Sequence, residues 1–306
     1  MSEKGAEMPD RLTRLGILVG VDGSACSRAA LRWAADEAVM RNVPLTLVHV
    51  LHTPEGSWSS WGLSTSPLPA DFDQKRKEQA LQVMDEAVRL IEDATEHSSP
   101  LTINTELLFS AVVPTLIDLA DEAQMIVVGS RGRNALQRGL LGSVSTGLIH
   151  HARCPVAVIH DDTDQPAPTQ GPVVVGIDGS PASELATAIA FEEASWRGVY
   201  LVVLHVWSDA DGPDVPDADW YERRTATQKT LAERLAGWRE HYPDVSVRPN
   251  IAFNNPASRL INRAAGAQLV VVGSRGRGGF PGMLLGSVSS AVVHAVRAPI
   301  IVARQS

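Results

Sequence analysis

Residues 127–145 read VVGSRGRNALQRGLLGSVS, and residues 271–289 read VVGSRGRGGFPGMLLGSVS. Both follow an apolar run and share the spacing G-x2-G-x9-G-S, at Gly129, Gly132, Gly142 and Ser143 and again at Gly273, Gly276, Gly286 and Ser287. A pattern of this length occurring twice marks a duplicated domain. Moving outward, residues 17–24 (ILVGVDGS) recur at 174–180 as VVGIDGS. Asp22 recurs as Asp178 and His49 as His205, 156 residues on, whereas Gly129 recurs as Gly273 and Gly142 as Gly286, 144 on. The second copy is therefore 12 residues shorter between His49 and Gly129. The difference falls in the loop after the second strand, Ser/Pro/Gly-rich in the first copy and acidic in the second. Residues 161–172, DDTDQPAPTQGP, have linker composition. The division expected is a first domain over 1–161, a linker over 162–172 and a second domain over 173–306.

Within each copy the hydrophobic pattern alternates between strand and helix. In the first, strands are expected at 15–21, 45–51, 101–109, 125–129 and 155–160. Helices are expected at 25–41, with Ser24 as N-cap, and at 72–96, 114–122 and 143–151. The second copy repeats the order and ends on a strand at 299–303. Such alternation calls for parallel strands covered on both faces. With right-handed crossovers, the simplest result is a doubly wound five-stranded α/β sheet of order 3-2-1-4-5, one per copy, Rossmann-like in winding. Strands one and four are then neighbours where the winding reverses, and ligands bind beyond their carboxyl ends. The fifth strands, PVAVIH and PIIVA, are short apolar edges without charge, a form that pairs; the two halves are expected to join through them.

Composition narrows the function classes. Of 306 residues, 44% are hydrophobic and 20% charged, and the formal net charge is −8. An acidic chain is a poor partner for nucleic acid or an anionic membrane surface, and no apolar run has the ~18 residues of a membrane span. The two cysteines, Cys26 and Cys154, form no CxxC pair, and the opening MSEKGAEMPDR has no apolar leader core. Together these predict a cytoplasmic location.

The chemistry gathers at the switch point. Glycines let backbone N–H groups approach an anion closely, and a helix opening at Ser143 adds free N–H groups and its positive dipole end. With the Ser143 and Ser145 hydroxyls, this is a site for a polyphosphate. On these residues the chain resembles the universal stress proteins, in their ATP-binding branch, over nearly its whole length and twice, as in the tandem members found in mycobacteria and other actinobacteria. The resemblance implies the same fold, of the adenine nucleotide α-hydrolase-like kind. It implies that Asp22 contacts adenosine, that Gly20 and Val50 lie against adenine, and that Gly129 and Gly132 lie beside ribose and phosphates. It places Gly142, Ser143 and Ser145 at the triphosphate. In the second copy the same roles pass to Gly176, Asp178, Val206, Gly273, Gly276, Gly286, Ser287 and Ser289. The ligand implied is ATP at two sites per chain. No side chains form a metal site, so Mg would enter only with the ATP phosphates. A regulatory role in stress response, dormancy or growth control, unnamed protein partners and a homodimer follow from the same resemblance.

Other readings stand beside these. Asp22 is also a candidate cap for the next helix. Arg131, Arg133, Arg275 and Arg277 suit phosphates or a solvated surface equally. His49 and His205 lie in apolar strands and read as core histidines, and His150 and His151 suit a helix C-terminus. Trp58 and Trp61 suit a lid, a partner surface or packing on the domain edge. The acidic 209–219 stretch lacks calcium-loop spacing. There is no G-x4-G-K-[ST] and no G-x-S-x-G, and no base is evident to activate water. The expectation is a binding protein with little or no hydrolysis; a slow ATPase or nucleotidyl transferase, and an AMP or cyclic AMP sensor, are the alternatives.

Overall fold

The computed structural model describes residues 14–52, 70–95, 100–133, 141–161, 170–207, 220–277 and 284–304. Trp58, Trp61, the 209–219 stretch and residues 162–169 of the expected linker lie outside them. The first half runs β1 (Ile17–Gly20), α1 (Ala25–Arg41), β2 (Leu45–Leu51), α2 (Ala70–Thr95), β3 (Ile103–Phe109), α3 (Val112–Ala120), β4 (Met125–Gly129), α4 (Ser143–His151) and β5 (Val156–Ile159). The second repeats it as β6 (Val173–Gly176), α5 (Pro181–Trp196), β7 (Leu201–Trp207), α6 (Trp220–His241), β8 (Val247–Phe253), α7 (Pro256–Ala264), β9 (Leu269–Gly273), α8 (Ser287–Ala295) and β10 (Ile300–Ala303).

Each half has the expected order 3-2-1-4-5, and its strands pair in parallel. The fifth strands close against each other, β5 pairing antiparallel with β10 through Ala157 opposite Ile301. The result is one ten-stranded sheet in which the strands of one half run opposite to those of the other. Its outer edges are β3 and β8. β8 carries Pro249 in its interior, a residue compatible only with an edge.

Strands that are buried on both faces alternate their side chains between two cores. Ile17 and Val19 point to a cluster that includes α1, α2, α5 and α6, while Leu18 points to a second one that includes α3, α4, α7 and α8. Each cluster runs through both halves. Small residues bring the helices close: Ala30, Ala34, Ala35 and Ala38 on α1 are fully buried.

α1 begins and ends where the sequence places it, with the Ser24 Oγ accepting the Ser27 N–H at 3.1 Å. α3 opens two residues before the expected 114, which puts Pro114 inside its first turn. Proline is tolerated there because the first N–H groups of a helix have no intrahelical partner.

Candidate functional site

The carboxyl ends of β1 and β4 are drawn together by side chains from the turn after β1. The Asp22 Oδ1 accepts the Ser24 N–H at 2.9 Å, and its Oδ2 accepts the Arg133 N–H from the segment after β4 at 3.1 Å. The Ser24 hydroxyl donates to the Arg131 carbonyl at 3.3 Å. The second half repeats the clasp: Asp178 accepts from Ser180 N at 2.9 Å and Arg277 N at 2.9 Å, and Ser180 donates to the Arg275 carbonyl at 3.2 Å. Burial acts to raise the Asp178 carboxyl, but the hydrogen bonds from Ser180, Arg277 and Ser183 outweigh it and hold the group below its ordinary value. Ser24, not Asp22, is the helix cap. The aspartate instead fastens two loops at the switch point. A carboxylate with two accepted N–H groups still has lone pairs to offer a hydroxyl.

The glycines differ in their tasks. A side chain on Gly129 would put its Cβ 2.8 Å from the Cys26 carbonyl carbon, so this glycine seats β4 against the first turn of α1. Gly273 does the same against Ala182, also at 2.8 Å. A Cβ on Gly132 would meet the Asp22 Oδ2 at 2.6 Å, and one on Gly276 would meet that of Asp178 at 2.5 Å. Gly20 and Gly176 end their strands against Val128 and Leu260 respectively. Val50 and Val206, near the ends of β2 and β7, are half-buried beside these turns.

The Gly-Ser-Val-Ser turns start α4 and α8. Gly142 and Gly286 are the N-caps, in extended conformation, and neither supplies a side-chain cap. The N–H groups of those first turns therefore lack the acceptor that Ser24 and Ser180 provide on α1 and α5. Gly142 N–H itself reaches back to the Ser130 carbonyl at 2.8 Å, and Gly286 N–H to that of Ser274 at 2.8 Å. Ser143 and Ser287 are exposed. Ser145 and Ser289 are not: they are 1% and 6% exposed. The Ser145 hydroxyl donates toward the Ser130 and Gly142 carbonyls at 3.1 and 3.0 Å, and that of Ser289 to the Gly273 carbonyl at 2.6 Å. These two serines tie the turn to the end of the strand, a task that spends the hydroxyl proton which the sequence reading assigned to a phosphate.

The histidines are structural, as their apolar strands predict. His49 Nδ1 lies 2.5 Å from the Val21 carbonyl, and His205 Nδ1 2.8 Å from that of Ile177. A carbonyl only accepts, so Nδ1 carries the proton in each. Burial pushes His205 below its ordinary value, and its ring holds the carbonyl of the residue next to Asp178. At the end of α4, His150 is likewise lowered, by burial and then by His151, Arg304 and His294. The last carbonyls there are met by Arg304 of the other half, which donates to Ala152 at 2.8 Å and also to Ile149. This guanidinium does the work expected of a charged histidine.

One constellation escaped the sequence reading. Glu37 and Arg41 on α1 meet Glu193 and Arg197 on α5 across the join between the halves. Arg41 bonds Glu37 at 2.7 Å and Glu193 at 2.5 Å, and Arg197 bonds Glu37 at 2.6 Å and Glu193 at 2.9 Å. Both carboxylates are fully buried. Arg41 lies over the Trp196 ring, 4.5 Å from its centroid, and Arg197 over Trp33 at 5.6 Å. Burial, together with the neighbouring Glu193 carboxylate, pushes Glu37 up to about 8. Burial acts on Glu193 too, but Arg41 and the other partners hold it low. A recurrence was there to see, since Glu37 and Arg41 return 156 residues later as Glu193 and Arg197.

Among the described residues no helix is long and apolar enough to cross a membrane, and no group of three or more His, Cys, Asp or Glu is placed to hold a metal. Compared with known proteins, residues 16–160 and 171–304 each match the model of the universal stress protein family. A universal stress protein of Mycobacterium tuberculosis is 51% identical over 292 residues, 95% of this chain and 97% of its own length. One of Mycolicibacterium smegmatis is 48% identical over 299 residues, covering 97% and 99%. The crystal structure of a universal stress protein from Archaeoglobus fulgidus superposes with a TM-score of 0.70 at 22% identity, over 95% of this chain and 98% of that one.

Proposed function

We propose that this chain, which belongs to the universal stress protein family, is a cytoplasmic regulator that binds ATP in two crevices, one per half, and hydrolyses little or none of it. The observation that carries the reading is the repeated switch-point geometry. In each half a helix with a glycine N-cap and no side-chain cap opens beside an aspartate-clasped turn at the carboxyl ends of two parallel strands. Uncapped first-turn N–H groups and the helix dipole favour phosphates, and Ser143 and Ser287 stand exposed at the same helix starts. The remaining lone pairs of Asp22 and Asp178 suit ribose hydroxyls. A base for hydrolysis must hold a water at hydrogen-bond distance, and on this reading the free lone pairs of the two clasp carboxylates are taken by ribose.

Regulation requires that ATP favour one conformation of the loops it touches. The segments after β4 and β9, which the clasps hold, are the elements such a ligand would bias, and protein partners or a second copy of the chain would read them.

The test is mass spectrometry of small molecules released from freshly purified protein, followed by calorimetry with ATP, AMP and cyclic AMP side by side. We expect tightest binding of ATP, approaching two per chain, with negligible steady-state release of ADP. Failure of ATP to bind either half sinks the reading, and turnover of several per second moves it to an ATPase.

A further inference from the structure

A second concave site lies on the opposite side of the sheet ends from the crevice of the second half. A cavity of about 420 Å³ is lined by the amino-terminal portions of β6, β7 and β8 and the carboxyl end of α7, with Tyr200, Arg248, Asn250, Asn262 and Arg263 as its polar wall. Its two guanidiniums are held from behind. The Arg248 guanidinium carbon lies over the Tyr200 ring, 3.7 Å from the centroid. Arg263 donates through Nε, at 3.1 Å, and also through Nη2 to the Asn250 side-chain oxygen, with the amide turned to accept both. Among the described residues neither arginine has a carboxylate in ion-pair range. Two cations brought to one cavity without a counter-charge, in a chain of net charge −8, mark a place for an anion.

The site belongs to one half only. At the equivalent positions of the first half stand Asn104 for Arg248, Glu106 for Asn250, Asp118 for Asn262 and Leu119 for Arg263. There Asn104 hydrogen-bonds Thr46, which itself donates to the Leu15 carbonyl. The duplicated fold therefore does not require the arginines. Guanidinium N–H groups are matched to oxyanions.

We propose that this cavity binds a small, doubly charged oxyanion through Arg248 and Arg263, with the Asn262 amide as a third donor, separately from the two crevices. α7 connects the two places, since its Leu260 packs against Gly176 at the end of β6 while its last turn carries Arg263.

Inorganic pyrophosphate and succinate, titrated against the full-length chain and followed by the NMR signals of arginine Nε–H groups, test this. Assignments come from Arg248→Gln and Arg263→Gln. The Arg248 and Arg263 signals should shift together and saturate with one of the two probes, which also tells phosphate from carboxylate chemistry. Each glutamine variant should weaken that site by about tenfold or more, the loss of a charge-assisted pair. Pyrophosphate bound only in the crevices would leave both signals in place. Such a result, or unchanged affinity in the variants, overturns the proposal whatever the crevices bind. Should Arg263→Gln fail to fold, the exposed Arg248→Gln carries the same test.

Discussion

Replacing Glu37 with alanine removes the bonds at 2.7 Å to Arg41 and at 2.6 Å to Arg197. It leaves two guanidiniums, whose side chains are only 7% and 12% exposed, with Glu193 as their carboxylate at ion-pair distance among the described residues. The buried cluster loses one of its two carboxyl groups, and both guanidiniums lose an acceptor. Breaking such a cluster by removing one partner costs about 3–5 kcal/mol. The loss should lower Tm by about 6–20 °C for a cooperative unit of this size. Urea denaturation of wild type, Glu37→Ala and a variant with all four residues replaced by aliphatics separates the explanations, because the full replacement should restore most of the loss or exceed wild type. Glu37→Ala within about 1 kcal/mol of wild type would place the cluster with exposed ion pairs and refute the reasoning. The pH dependence adds a second reading. Because the Glu37 carboxyl is raised in the folded chain, to about 8, its protonation favours the fold below the ordinary carboxyl range. That contribution declines as pH rises through about 8. Stability should fall as pH rises from the ordinary carboxyl value of 4.5 to about 8 in wild type and be flatter in Glu37→Gln, which stays neutral throughout.

Other outcomes follow from the crevices. Gly129→Ala forces its Cβ onto the Cys26 backbone and should cost about 1–3 kcal/mol by overpacking, measurable by denaturation without any ligand, so it is not a clean probe of binding. Asp178 is held low, so its stabilisation is present above the ordinary carboxyl range and lost as pH falls below it; Asp178→Asn should flatten the acid limb of the stability curve, and an unchanged limb would count against the clasp.

The fold was legible because parallel strands are written as short apolar runs. LTLVHVL and MIVVG are strands over the lengths that the runs predict, and Ser24 and Arg41 bound α1. Helix ends elsewhere shifted by a few residues, as at Pro114, because a proline in the first turn does not mark the first residue. The meeting of the two turns at the strand ends was legible in sequence; the hydrogen-bond partners within them were less so. Ser143 and Ser145 look alike in sequence, yet two residues along a helix one hydroxyl faces solvent and the other a carbonyl. Glu37 and Arg41 are four apart on a helix, the spacing of an ordinary solvated pair. Only the packing of α1 against α5, absent from either copy alone, turns them inward.

The antiparallel junction of β5 and β10 has a consequence for whatever reads this molecule. Because each switch-point turn sits where its own strands finish, and the strands of the two halves travel in contrary directions, the two proposed crevices fall on opposite rims. A single small partner that grips one occupied mouth is turned away from the other. On the proposed reading, any coupling between them would run through the shared sheet and the helices laid across it.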